Sequence, residues 1–311
     1  MQTTQQPKSQ AKEIQKKAAN LPAAINLEES AGEGQEFIGA RDVKLPILKI
    51  LYASSAVLDK SDGKYIANAE RGDIYNEVTG SLWKGKGGIV VVPCLYINTF
   101  NEWKDKGDSP GRPIKIHTDP SIMSETTRGA DNKDRLPNGN YVEDTGNHFV
   151  FILDKDYLPQ EQALIAMKST QKKKSKTWNS MTQTRRMKGS KGFFRPPTWA
   201  TTYRLTTTKE SNSKNNWFGW VVEFDIVLLP EKFPKTLEIT RAFYQSSMKS
   251  DIFGKVDFGT TSDLKQDTKK QAVPFYMLTR LGDLFEGDPD QFVATSLTGE
   301  VDGRGKHQAK Y

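Results

Sequence analysis

Between Glu161 and Glu210 lie twelve cationic side chains and not one acid: Lys168, Lys172, Lys173, Lys174, Lys176, Arg185, Arg186, Lys188, Lys191, Arg195, Arg204 and Lys209. The 311-residue chain carries 45 Lys and Arg against 38 Asp and Glu, so without these twelve 33 bases face 38 acids. The positive charge is therefore local, and a basic block on an acidic background is the electrostatic footprint of a polyanion site. Trp178, Phe193, Phe194, Trp199 and Tyr203 are interleaved with the cations. Cations that meet phosphates and flat rings that stack on bases make up the chemistry of single-stranded nucleic-acid binding. The candidate binding set is these five rings with the cations from Lys168 to Arg204.

A solvated Lys-rich helix face beside core aromatics would use the same residue types. Two features argue against it. A solvated helix mixes signs for i,i+4 pairing, and this run has no acid to pair. The rings also sit inside the basic run, not in a separate apolar block.

Other chemistries lack their parts. A zinc site of Cys and His needs four ligands, and the chain offers Cys94 with the scattered His117, His148 and His307. None of those histidines stands in a setting that marks the base of a Ser or Cys nucleophile. There is no GxxxxGK[ST] loop, and the GKGG at 85–88 precedes a strand, not a helix, so it reads as a turn. Carboxylates for a magnesium nuclease are available, with Glu223 and Asp225 on one strand face and Asp154 and Asp156 closing another strand. That nuclease stands as an alternative. A virion or assembly protein whose basic segment meets packaged DNA or an acidic partner is another. The leading expectation is no enzyme and no cofactor.

The elements that must position the block can be read along the chain. Residues 1–40 are expected to form a flexible arm with a marginal helix at Ala11–Ala24. Residues 41–254 are expected to form the β-rich domain, and 255–311 a polar extension with a helical candidate at Ala272–Leu284. Within the domain, LPILKILYA reads as a first strand and GDIYNEVTGSLW as a hairpin around Thr79 and Gly80. GGIVVVPCLYINTFNEW reads as a long strand in which Pro93 demands an edge or a bulge. Residues 104–147 read as a long surface insertion with a turn at 138–140, and HFVFILD and ALIAMKS as an antiparallel pair. Inside the block, Ser169 is placed to cap a helix over Thr170–Met187, ended by the GSKG at 189–192 and by Pro196 and Pro197. WATTYRLTTT and NWFGWVVEFDIVLL read as two long strands, and TLEITRAFYQSSMK as an amphipathic helix.

Seven or eight strands at short spacing with few helices predict a mainly β (α+β) fold, an OB-like β-barrel core with long loop insertions and a few peripheral helices. A sandwich fits almost as well. The single cysteine excludes an intrachain disulfide framework and fits a reducing compartment. Residues 1–20 are polar, and no apolar run approaches the roughly 18 residues of a membrane span, so a soluble cytoplasmic protein is expected.

STQKKKSKTWNS followed by WATTYRLTTTKESN and WFGW resembles a set of tailed-bacteriophage proteins encoded among replication genes. RDVKLPILKILYASS, GDIYNEVTG and GIVVVPC are similar to the same set, so the likeness covers roughly residues 41–250. The resemblance implies a single-stranded DNA-binding protein with an OB-like core, acting in phage replication, recombination or repair. It also implies single-stranded DNA as partner, phage replication proteins as further candidates, the host cytoplasm as location and an allowance for homo-oligomers. Many such binders end in an acidic tail closed by an aromatic residue. This chain ends EVDGRGKHQAKY, with Tyr311 preceded by basic residues, so the resemblance does not extend to tail-mediated recruitment.

Overall fold

The computed structural model describes residues 30, 32–38, 42, 44, 46–105, 113–213 and 215–249. It divides into two units, Met1–Gly39 and Ala40–Tyr311. In the first, the amides of Glu33, Gln35 and Ile38 donate to the carbonyls of Ser30, Gly32 and Gln35 in successive turns. The helical candidates at 11–24 and 272–284 lie outside the described residues, as does everything from 250 onward.

In chain order the strands of the second unit are β1 (Leu48–Ile50), β2 (Ile74–Asn76), β3 (Leu82–Trp83), β4 (Ile89–Trp103) and β5 (Lys115–His117). They continue with β6 (Thr127–Arg128), β7 (Asp134–Arg135), β8 (Tyr141–Leu153), β9 (Pro159–Lys168), β10 (Met187–Gly189) and β11 (Gly192–Phe194). β12 (Thr201–Ser211) and β13 (Asn216–Val227) complete the set, and the α-helices are α1 (Lys172–Thr184) and α2 (Pro234–Lys249). The main sheet runs β13-β12-β4-β8-β7-β6, with β5 on β4 and β9 on β8. It curls into a half-barrel, so the fold is mainly β with few helices, consistent with an OB-like core. β1, β2 and β3 form a separate small antiparallel sheet. No helix among the described residues is long and apolar enough to cross a membrane.

The sheet buries both faces because its long strands carry apolar residues at both parities. Val92, Leu95, Ile97, Phe149, Phe151 and Leu164 face one core, which α2 closes with Leu237 and Phe243. Thr236, Leu237, Thr240, Phe243 and Ser247 are the buried positions of α2, the three- and four-residue spacing of a helix with one face inward. Ile89, Val91, Val150, Ile152, Ile165 and Met167 face the other core, closed by Trp178 of α1 and by Leu48, Ile50 and Ile74 of the small sheet.

Pro93 sits where the sequence required an exception. β4 lies between β12 and β8, so it is no edge strand. Pro93 pairs with Val150 and Leu95 with Phe149, which leaves Cys94 as the extra residue of a bulge. The bulge reverses parity. Val90 and Val92 point to the α2 side before it, and Leu95 and Ile97 point there after it. Burial pushes the Cys94 thiol well up.

Three boundaries differ from the sequence expectation. β8 starts at Tyr141, not near His148, because the fifteen-residue β4 pairs back as far as Trp103↔Tyr141. The insertion is correspondingly shorter and itself holds β5, β6 and β7, with a small core of Phe100, Ile122, Leu136 and Val142. Ser169 caps nothing: it has φ of 50° in a 3-10 turn, and α1 starts at Lys172 without a side-chain cap. The GSKG at 189–192 is no plain helix terminator but the turn of the β10–β11 hairpin, since α1 has already ended at Thr184.

Candidate nucleic-acid interface

The basic block folds into the end of β9, α1, the β10–β11 hairpin and β12, and its rings separate into buried and exposed sets. Trp178 and Tyr203 are 1 % and 0 % exposed. In this structure neither presents a face to a base, which corrects their assignment as stacking platforms. The cause is periodicity: Ser175 and Trp178 are the inward positions of α1, and Tyr203 lies on the inward face of β12. Trp178 stacks on His148, meets Tyr203 edge-on at 5.5 Å between ring centres, and Tyr203 in turn meets Phe224 at 6.2 Å. The Tyr203 and Thr182 hydroxyls are 2.9 Å apart. α1 can lie this close to the sheet because residue 146 is glycine. A Cβ there would fall on the Ser175 hydroxyl and come within 3.2 Å of the Tyr96 ring.

Trp199 is half-buried in a 3-10 turn against the α2-side core, with the Arg241 guanidinium 5.8 Å from its ring centre. Phe193 and Phe194 are exposed, at 77 % and 47 %.

The cations also divide. Three of them meet acids from elsewhere in the chain: Lys168 with Glu143 at 2.9 Å, Lys172 with Asp144 at 2.6 Å, and Lys174 with Glu210 at 2.8 Å. Lys172 additionally bonds Asn98. The Lys174 contact, joined by the Trp217 indole and opposed by partial burial, holds the Glu210 carboxyl below its usual range. Arg185 lays its guanidinium 3.3 Å from the centre of the Phe224 ring. Lys173, Lys176, Arg186, Lys188, Lys191, Arg195, Arg204 and Lys209 are exposed and make no ion pair with the described residues. These are the charges available to a polyanion. Lys172, Lys173 and Lys174 crowd the first turn of α1, where the helix dipole disfavours cations; that turn holds no acid of its own, and Asp144 of β8 and Glu210 of β12 offset Lys172 and Lys174.

The hairpin is the most exposed part of the block. Its register sets Lys188 opposite Phe193 and Met187 opposite Phe194, so each phenylalanine has its own face. Phe194 lies over Gly189, where a Cβ would come within 3.1 Å of the ring, and Phe193 shares its face with Lys188. No other described strand pairs with β10 or β11. At its base, Gln183 of α1 accepts from both sides. Arg186 Nη1 donates to the Gln183 carbonyl at 2.8 Å, and Arg195 Nη1 donates to its side-chain oxygen. Sequence reading missed this clamp, and nothing in the spacing of Gln183 marks it.

Of the four acids weighed for a magnesium site, Asp225 and Asp154 are engaged within the fold. Asp225 accepts the Tyr157 and Thr202 hydroxyls at 2.9 Å each, and Asp154 accepts the amides of Asp156 and Leu158 in a turn. Among the described residues no three His, Cys, Asp or Glu side chains gather as a metal site. His117 meets Glu102 at 3.0 Å beside a cleft of about 480 Å³, remote in sequence from the basic block. The Asn140, His117 and Asn138 hydrogen bonds outweigh burial and hold Glu102 below its usual range.

The fold defines the class first: a mainly β protein with a curled, barrel-like sheet and few helices. Within that class the chain belongs to the family described as Pam3 phage gp34-like protein, whose model matches residues 15–251. It is thus a phage-associated protein. No curated protein matches the chain, and no solved structure matches it.

Proposed function

We propose that the chain is a sequence-nonspecific single-stranded DNA-binding protein of a phage replication or recombination system. The single observation that carries this reading is the finger: an exposed Phe193 faced by Lys188, with Arg186, Lys191 and Arg195 around it and no acid in the run. Lys173 and Lys176 of α1 add exposed cations, and each can follow phosphates without reading bases, whereas Arg204 is in register with Val90 and so stands on the α2 side of the sheet. The phage family agrees with such a role without specifying it.

The test is a titration of fluorescent oligo(dT) at several salt concentrations. Binding at low salt should weaken as salt rises, log K falling against log[salt] by about 0.7 per phosphate met. No binding at low salt would refute the proposal.

One observation favours a second reading, a virion or assembly protein with a DNA-facing surface. Of the five rings in the block, only Phe193 is mostly exposed. A purely electrostatic surface has no use for exposed bases, so equal affinity for duplex and single strand would favour this second reading.

A further inference from the structure

We infer that the β10–β11 hairpin is a wedge for the junction between duplex and single-stranded DNA, an inference that rests on the DNA-binding reading above. A groove that holds a single strand presents its rings on a concave floor. Here the ring stands on an exposed finger, one residue pair back from its Ser190–Lys191 turn, and Lys188, Ser190, Lys191, Gly192, Phe193 and Phe194 are all exposed. Two features keep that finger from being a floppy loop: the Phe194 ring closed over Gly189, and the Gln183 clamp on Arg186 and Arg195 at its base. A stiff finger with an exposed apolar ring beside its turn can enter a base stack as other apolar side chains do when they unstack a step. At a junction the last base pair already has one open face, so entry disturbs less stacking there than within a duplex. Lys188, across the hairpin from the ring, and Lys191, in the turn beyond it, are placed to meet the phosphates of the two diverging strands. Both cations and the ring are thereby used at one place.

The experiment uses the full chain and a forked DNA carrying 2-aminopurine in its terminal base pair, with anisotropy recording saturation and oligo(dT) as the single-strand reference. The native protein should brighten 2-aminopurine on binding the fork. Phe193→Ala should need about 5- to 150-fold more protein to saturate the fork, as expected for one lost stacking contact. Once bound, it should leave the probe dim. Phe193→Trp should restore the brightening, and Lys188→Ala should weaken fork and oligo(dT) alike. Binding of oligo(dT) and fork by the native protein without brightening would overturn the wedge while leaving the DNA-binding reading intact. The same follows if Phe193→Ala brightens the probe as the native protein does. Failure to bind oligo(dT) would remove the underlying reading and the wedge with it.

Discussion

The imidazole of His148 lies flat against the indole of Trp178, ring centres 4.2 Å apart and planes 14° from parallel. One residue is in the central strand β8 and the other in the middle of the basic block, so the block's helix is nailed to the sheet by its own tryptophan. Trp178→Ala should therefore act on folding, costing about 3–5 kcal/mol as other large aromatic deletions from cores do. Thermal or urea melts of the free protein read this directly. A variant that melts normally yet loses DNA would return Trp178 to the binding surface.

His148 also makes stability depend on pH. Burial, and after it the Lys172 ammonium, push its pKa from 6.5 down to about 3, with the Ser175 hydroxyl 2.8 Å from Nε2. Between those two values the unfolded chain takes up a proton that the folded chain refuses. The stability that neutral His148 supports is whole above about pH 6.5 and falls as pH drops through this window, by at most about 1.4 kcal/mol per unit. Urea melts from pH 7 to pH 4.5 should show a steeper loss for the native protein than for His148→Gln. Parallel curves would refute this.

The lysines of α1 should not behave alike. Lys172 is 11 % exposed and locked to Asp144, so Lys172→Ala should cost about 1–2 kcal/mol of stability. Lys173 and Lys176 are exposed, and Lys173→Ala with Lys176→Ala should move stability by no more than about 0.5 kcal/mol. That pair should instead flatten the salt dependence of oligo(dT) binding by about 0.7 for each lysine that meets a phosphate. Melts and titrations of the same two proteins check both halves.

The adjacent phenylalanines should separate in the same way. Phe193 touches little of its own chain, so Phe193→Ala should leave the melt unchanged and cost about 1–3 kcal/mol of DNA binding. Phe194 covers Gly189, so Phe194→Ala should loosen the hairpin, seen as faster amide exchange over 187–194. Equal effects of the two changes on exchange would mean that the faces are not distinct.

Most of the architecture could be read from the pattern of the chain, because strand and helix periods are local. The long β4, the β8–β9 pair, the β12–β13 pair and α2 all stand in the segments where alternation or helical spacing pointed. What could not be read depends on partners distant in sequence. Glu143, Asp144 and Glu210 lie outside the acid-free run, yet β8 and β12 bring them against Lys168, Lys172 and Lys174. The run therefore looks more uncompensated than it is. Trp178 and Tyr203 look like any aromatic among lysines until helix phase and strand face are fixed. The β10–β11 hairpin is too short for periodicity to reveal, and Gly189 and Gly192, read as a helix stop, are the residues that frame its turn.

The extra residue at Cys94 makes β4 two counting frames joined end to end. Removing any one residue between Leu95 and Asn98 would turn every later side chain of the strand over, sending Thr99 and Asn101 away from the Asn147 and Thr145 they now respectively bond. Losing Cys94 itself would impose a single frame on the whole strand. Changes in steps of two would keep both frames. Length variation in this strand among family members should accordingly come in even numbers, and odd changes should be confined to sequences that gain or lose the bulge.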